Sequence, residues 1–113
     1  MHEASVATEI CDIVLLACKE NYIFKVFKVI LELGEFSCIQ EEQLQFAFEI
    51  IIENTIIEGA SLNIERVPAT GYCKGCDITF PITFTDKICP RCNLVSEIVS
   101  TGYETSVKSI EGD

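Results

Sequence analysis

Cys73-Lys74-Gly75-Cys76 and Cys89-Pro90-Arg91-Cys92, with the twelve residues Asp77 to Ile88 between them, decide how this chain is read. Zinc takes four ligands in a tetrahedron, and thiolates suit it. A two-residue gap lets both sulfurs of a pair face one ion. Gly75 and Pro90 favour the tight turns that such knuckles need. Between the pairs, Phe80, Ile82 and Phe84 alternate as a hairpin strand would. A redox dithiol would more readily open a helix, and neither pair reads that way. With Cys at all four positions, no coordination site stays open for catalysis. The spacing therefore predicts a structural zinc that contributes folding energy, with Lys74, Lys87 and Arg91 offsetting the thiolate charge.

Residues 69–98 hold both Cys pairs, two of the three Pro and little helical periodicity. So short a stretch builds little apolar core, and the metal must hold it together. The sequence on either side is of another kind. Val6, Ile10, Ile13, Val14 and Ala17 recur at helical spacing, so Val6 to Lys19 predicts an amphipathic helix with Ser5 as its N-cap. Phe27, Val29, Leu31 and Leu33 alternate with Lys28 and Glu32, which predicts a half-buried strand ending at Gly34. Ser37 and Gln40 are spaced as a capping box for a second helix. That helix is expected from Glu41 to Glu58, with Leu44, Ala47, Phe48, Ile51, Ile52 and Thr55 on one face and Gly59 as its C-cap. Leu62 and Ile64 begin a second strand, closed by Pro68. Thr101 to Ile110 reads as a third, returning to the first sheet. The expected fold is α+β: a small three-stranded sheet with two helices, formed by residues 1–68 and 99–113, and a zinc-ribbon-like module inserted at residues 69–98.

Among the 113 residues, 49% are hydrophobic, which supports a real core and argues against disorder. No apolar run approaches the ~20 residues of a membrane helix. No basic segment precedes an apolar one at the N-terminus, so no signal peptide is expected. The expectation is a cytoplasmic protein without a membrane partner. The formal net charge is -10. Binding a polyanion exchanges protein cations for counterions at phosphates, so nucleic acid is a poor partner. Seven Cys, an odd number, suit a reducing compartment better than a disulfide framework. Cys11 and Cys18 lie beside the apolar stripe of the first helix and read as small hydrophobes. Cys38 sits in a loop and reads as a packed thiol. No phosphate loop of the Gly-x-x-x-x-Gly-Lys type is present, and nothing marks a catalytic constellation, so no enzyme is expected.

His2 is the only histidine. Taken alone, a terminal histidine is most often an idle, solvated residue. Its place gives it other chemistry. The Met1 α-amine, the backbone nitrogen of residue 2 and the His2 imidazole can form fused chelate rings on one ion. Deprotonated amide nitrogens demand a square-planar ion, Ni(II) or Cu(II). Glu3 can add a further backbone nitrogen or a carboxylate. A zinc-ribbon adaptor that only binds protein, with His2 idle, is the competing reading.

Met1-His2-Glu3 followed by Ser5, the stretch Gly34-Glu35-Phe36-Ser37-Cys38, then Phe46-Ala47-Phe48-Glu49, and the two Cys-x-x-Cys pairs with Cys-Pro-x-Cys second resemble the HypA family. The resemblance runs the length of the chain in order. It implies a nickel metallochaperone for maturation of [NiFe]-hydrogenase, and in some bacteria of urease. It implies transferable Ni(II) at the N-terminus through His2 and neighbouring backbone nitrogens with Glu3 implicated, and zinc at Cys73, Cys76, Cys89 and Cys92. The implied partners are a nickel-insertion GTPase (HypB-like) and the hydrogenase large-subunit precursor, with the chain a monomer or homodimer. At Gln40 some relatives carry an aspartate near the nickel; here Glu41 and Glu42 are merely adjacent. No His flanks either Cys pair, so the imidazole-driven zinc switch suggested for some relatives has no counterpart.

Overall fold

The computed structural model describes residues 2–113. Its elements run α1 (Glu3–Glu20), β1 (Val26–Gly34), α2 (Glu41–Ile51), β2 (Ser61–Val67), β3 (Thr70–Cys73), β4 (Ile78–Pro81), β5 (Ile98–Thr101) and β6 (Thr105–Gly112). Two three-stranded sheets result, ordered β2-β1-β6 and β4-β3-β5. The expected α+β class holds. The last strand pairs beside the first, as expected, after the chain has passed through the small sheet that carries the cysteines. The chain forms two compact units. One comprises the residues up to Glu32, Cys38–Glu65 and Ser106–Asp113; the other comprises Leu33–Ser37 and Arg66–Thr105.

The first unit is built around β1, paired on both sides and therefore shielded along its length. Val26, Val29 and Leu31 are fully buried and join Ala7, Ile10, Val14 and Cys18 of α1 and Leu44 and Phe48 of α2 in one core. Removing each such side chain from water is the main favourable contribution to folding here. The alternation in β1 slips between Val26 and Val29. Val26 takes the inward place, and Phe27, expected in the core, is 52% exposed.

Both helices start and stop differently from expectation. The Val6 N–H donates to the His2 carbonyl at 2.9 Å, so α1 begins at Glu3, and His2 rather than Ser5 is the N-cap. Gln40, not Ser37, is the N-cap of α2, and its side chain makes no cap. The second helix ends at Ile51, seven residues short of Glu58. Side chains beyond that point capture the backbone groups a helix would use, the competition that disfavours Asn and Thr in helices. Thr55 Oγ1 donates to the Ile52 carbonyl at 2.6 Å and accepts from the Ile57 N–H, while the Asn54 N–H donates to the Glu58 carboxylate. Asn54 adopts φ +62° and Gly59 φ +82°, left-handed values that Asn and Gly tolerate best. The turn still serves the core, because it delivers fully buried Ile57.

In the second unit β3 is central. It pairs antiparallel with β4, placing Cys73 opposite Ile78, and with β5 through an irregularity at Thr70/Gly71. Phe36, Ala69, Phe80 and Ile82 bury themselves with Cys73 and Cys89 in a small core. Phe84 is not part of that strand, which ends at Pro81. Instead it stacks on Phe36 with ring centroids 4.1 Å apart. Gly34 is required by crowding, since a Cβ there would run into the Gly102 carbonyl.

Phe46 and Phe48 are two residues apart on α2, but Phe48 is 1% exposed and Phe46 66%. Phe48→Ala should cost about 3 to 5 kcal/mol, the usual range for emptying a buried phenylalanine site. Phe46→Ala should stay within about 0.5 kcal/mol of the parent. Urea denaturation of the two variants checks the contrast.

Candidate metal centres

Each Cys pair sits on a reversal of the chain, and neither opens a helix. Cys73 ends β3, Cys76 lies in the turn that follows, and β4 starts at Ile78. The second pair closes on itself. The Asn93 N–H donates to the Cys89 carbonyl at 2.9 Å and the Cys89 N–H to the Leu94 carbonyl at 2.8 Å. The residue after each pair, Asp77 at φ +53° and Asn93 at φ +62°, is left-handed. Asp and Asn accept that conformation more readily than other non-glycine residues. Tyr72 Oη donates to Asp77 Oδ1 at 2.6 Å, fixing the first reversal. The Ser96 hydroxyl donates to the Tyr72 carbonyl at 2.9 Å, tying β3 to the strand-like stretch after the second pair.

These turns bring the four Sγ atoms within 4.8 Å of one another. Cys73 Sγ and Cys92 Sγ are 3.6 Å apart. Four sulfurs around one ion at the ~2.3 Å zinc–sulfur distance would be separated by about 3.8 Å, so the donor set and its spacing fit a tetrahedral divalent ion. Cys73 and Cys89 are buried, Cys76 and Cys92 half-buried. Crowding splits their acidities. Burial, then hydrogen bonds with the Cys92, Cys73 and Cys89 thiols, push Cys76 up to about 12. Burial also raises Cys89, but the backbone N–H groups of Cys92 and Arg91 and the neighbouring thiols outweigh it and lower Cys89 to about 7. A divalent cation is the group that lets all four carry charge together.

The other expected site lies at the start of α1. Met1 falls outside the described residues. His2 is exposed at the N-cap and makes no side-chain cap. Glu3 behaves differently. It is 7% exposed, the only buried charged residue among the described residues. Its Oε2 accepts the Gln40 backbone N–H at 3.0 Å, across 37 positions of sequence. That hydrogen bond is the largest influence on the carboxyl, which titrates at about 2 instead of 4.5. Glu3 also occupies the first turn of α1, where the helix dipole favours a negative charge. Gln40 thus meets this site through its main chain, a contact that no residue-type pattern announces. Cys38 is exposed with φ +60°, apart from the sulfur cluster, and Cys11 and Cys18 are packed in the core with thiols raised by burial.

The family described as "Hydrogenase/urease nickel incorporation, metallochaperone, hypA" matches residues 1–112. The chain belongs to the HypA family. The hydrogenase maturation factor HypA of Geotalea daltonii is 37% identical over 111 residues, covering 97% of each chain. The hydrogenase maturation factor HybF of Escherichia coli is 34% identical over 111 residues, covering 98% of each. The solution structure of the Ni metallochaperone HypA from Helicobacter pylori superposes with a TM-score of 0.76 at 27% identity, covering 99% of this chain and 97% of that one. HypA membership makes the chain a nickel metallochaperone of hydrogenase maturation, not an enzyme. That role requires contact with other maturation factors and with the hydrogenase. No helix among the described residues is long and apolar enough to cross a membrane.

Two outcomes follow from the geometry of this HypA chain. A carboxyl whose folded pKa lies below its unfolded one stabilises the fold fully above the unfolded value, and that stabilisation is lost as pH falls through the folded value. Glu3→Gln should therefore be less stable than the parent at neutral pH. The gap should close as pH falls from 4.5 to about 2, as denaturant midpoints across a pH series would show. Cys73→Ser removes one of four donors from a unit with a small core. It should lose bound divalent metal and the dispersed amide resonances of residues 66–105, while those of α1 and α2 persist. Metal analysis and a two-dimensional amide spectrum check both.

Proposed function

We propose that this chain binds Ni(II) at its N-terminus, through the Met1 α-amine, the His2 backbone nitrogen and imidazole and with support from Glu3, and hands it to the hydrogenase precursor. Zn(II) is held by Cys73, Cys76, Cys89 and Cys92 as a structural ion. The observation that carries the nickel reading is His2, the chain's sole imidazole, exposed at the head of α1 beside a Glu3 tied to Gln40. The first N–H groups of a helix have no acceptor within it, so nitrogens near His2 can be recruited without breaking the helical ladder. Membership of a nickel-incorporation family supports the same reading. A terminal site of this kind exchanges metal between chains more readily than a buried cage. For zinc, the support is the closed all-sulfur donor set, which leaves no exchangeable position.

The proposed partners are a HypB-like nickel-insertion GTPase and the hydrogenase large-subunit precursor, and the proposed compartment is the cytoplasm. Urease is a second recipient, because the family description names both enzymes. Nickel binding needs a neutral imidazole and a deprotonated amine, so it releases protons. Affinity should therefore fall as pH falls.

Native mass spectrometry of untagged protein and of His2→Ala tests the assignment. The parent should carry one nickel and one zinc, and His2→Ala zinc alone with its fold unchanged. Nickel binding that survives His2→Ala would make the histidine a bystander and favour a zinc-ribbon adaptor.

A further inference from the structure

Between Lys28 and Arg66 the chain contains no Lys, Arg or His, but eight glutamates. The helix α2 lies wholly within that stretch, with Glu41 and Glu42 in its first turn and no base in its last. Its inward face is spent on the core through Leu44 and Phe48. Its outward face is not wholly polar. Phe46 is 66% exposed and Ile50 52%. At ~100° per residue, Glu42, Phe46, Glu49 and Ile50 fall within an arc of about 100°, opposite Leu44 and Phe48. All four are exposed, as is Glu53 in the turn that follows the helix. Two large apolar side chains one turn apart, with carboxylates beside them, resemble one half of a helix-in-groove contact.

Charge decides among occupants. A second copy of this face would set carboxylates against carboxylates, which are mutually repulsive. Nucleic acid and anionic lipid surfaces are repelled for the same reason. We infer that the outward face of α2 docks a protein partner through an apolar cleft that receives Phe46 and Ile50 and is rimmed by Lys or Arg facing Glu42 and Glu49. An α-helix of 11 residues is about 16 Å long. Alone it covers far less than the ~800 Å² per partner of a standard stable interface. The contact is therefore transient and steered by charge, which suits a carrier that must dock and release. The inference does not depend on which residues hold nickel.

The test places a photo-reactive phenylalanine analogue at Gln43, beside the patch, in the full-length untagged chain in its host cell, with Ser61 on β2 as control position. The expected result is an adduct from position 43, stronger than from position 61, to another protein whose cross-linked peptide carries apolar residues flanked by Lys or Arg. Capture alone does not count. With that partner purified, Glu42→Lys and Glu49→Lys together should weaken binding by roughly tenfold or more, and so should raising salt from about 0.05 to about 0.5 M. Phe46→Ser should weaken it too, although its thermal unfolding and metal content match the parent. Reversing the partner's facing bases to Glu should restore binding to the Lys variants. An adduct to a second copy or to lipid, a contact peptide without bases, equal yields at both positions, or indifference to charge reversal would each overturn the inference. Nickel and zinc stoichiometry of the same variants, expected unchanged, separates this result from the fate of the nickel assignment.

Discussion

Four sulfurs held within 4.8 Å of each other form an arrangement that protein alone does not favour. Thiols in such company resist ionising together, as the opposite displacements of Cys76 and Cys89 illustrate. The unit that carries them offers Phe36, Ala69, Phe80 and Ile82 as its apolar core and little else. Two left-handed residues, a bulged strand pair and several side-chain ties complete its inventory. Closing these turns costs backbone entropy, on the order of 1–2 kcal/mol per residue. A structural zinc in small modules contributes roughly 10–16 kcal/mol. A unit of this kind would be organised by the ion that its sulfurs are proposed to hold, with its hairpins aiming the sulfurs.

The first unit obeys the opposite economy. Its stability comes from α1, α2 and β1 closing over one apolar core. The residues proposed for exchangeable metal sit at the head of α1, which belongs to that core. Glu3 connects the two concerns, since its carboxylate is buried in the first turn of α1 and fastened to the loop ahead of α2. Residue 2 then starts from a defined backbone position.

Legibility followed the range of the interactions. The cysteine knuckles were plain in the sequence because a two-residue gap is itself the geometry of a metal turn. The helices and the central strand were plain because their apolar periods are local. What escaped was decided at a distance or by competition for the backbone. No pattern announces that Glu3 pairs with Gln40, 37 positions away, or that Val26 displaces Phe27 from the core. The early end of α2 was readable in principle, since Asn54 and Thr55 are residues whose side chains bid against helical hydrogen bonds. The run of isoleucines around them carried the opposite signal. Phe84 misled in a similar way, because its alternation with Phe80 and Ile82 continued past Pro81, where the pairing stops.

The tie between Glu3 and Gln40 has a consequence for how this surface can vary. Its donor is a main-chain N–H, which every amino acid except proline possesses. Position 40 can thus change its side chain without releasing the head of α1. The chemistry displayed beside the terminus can drift while the anchor stays put. At φ -83°, proline is the one residue that would fit the local backbone yet cut the tether.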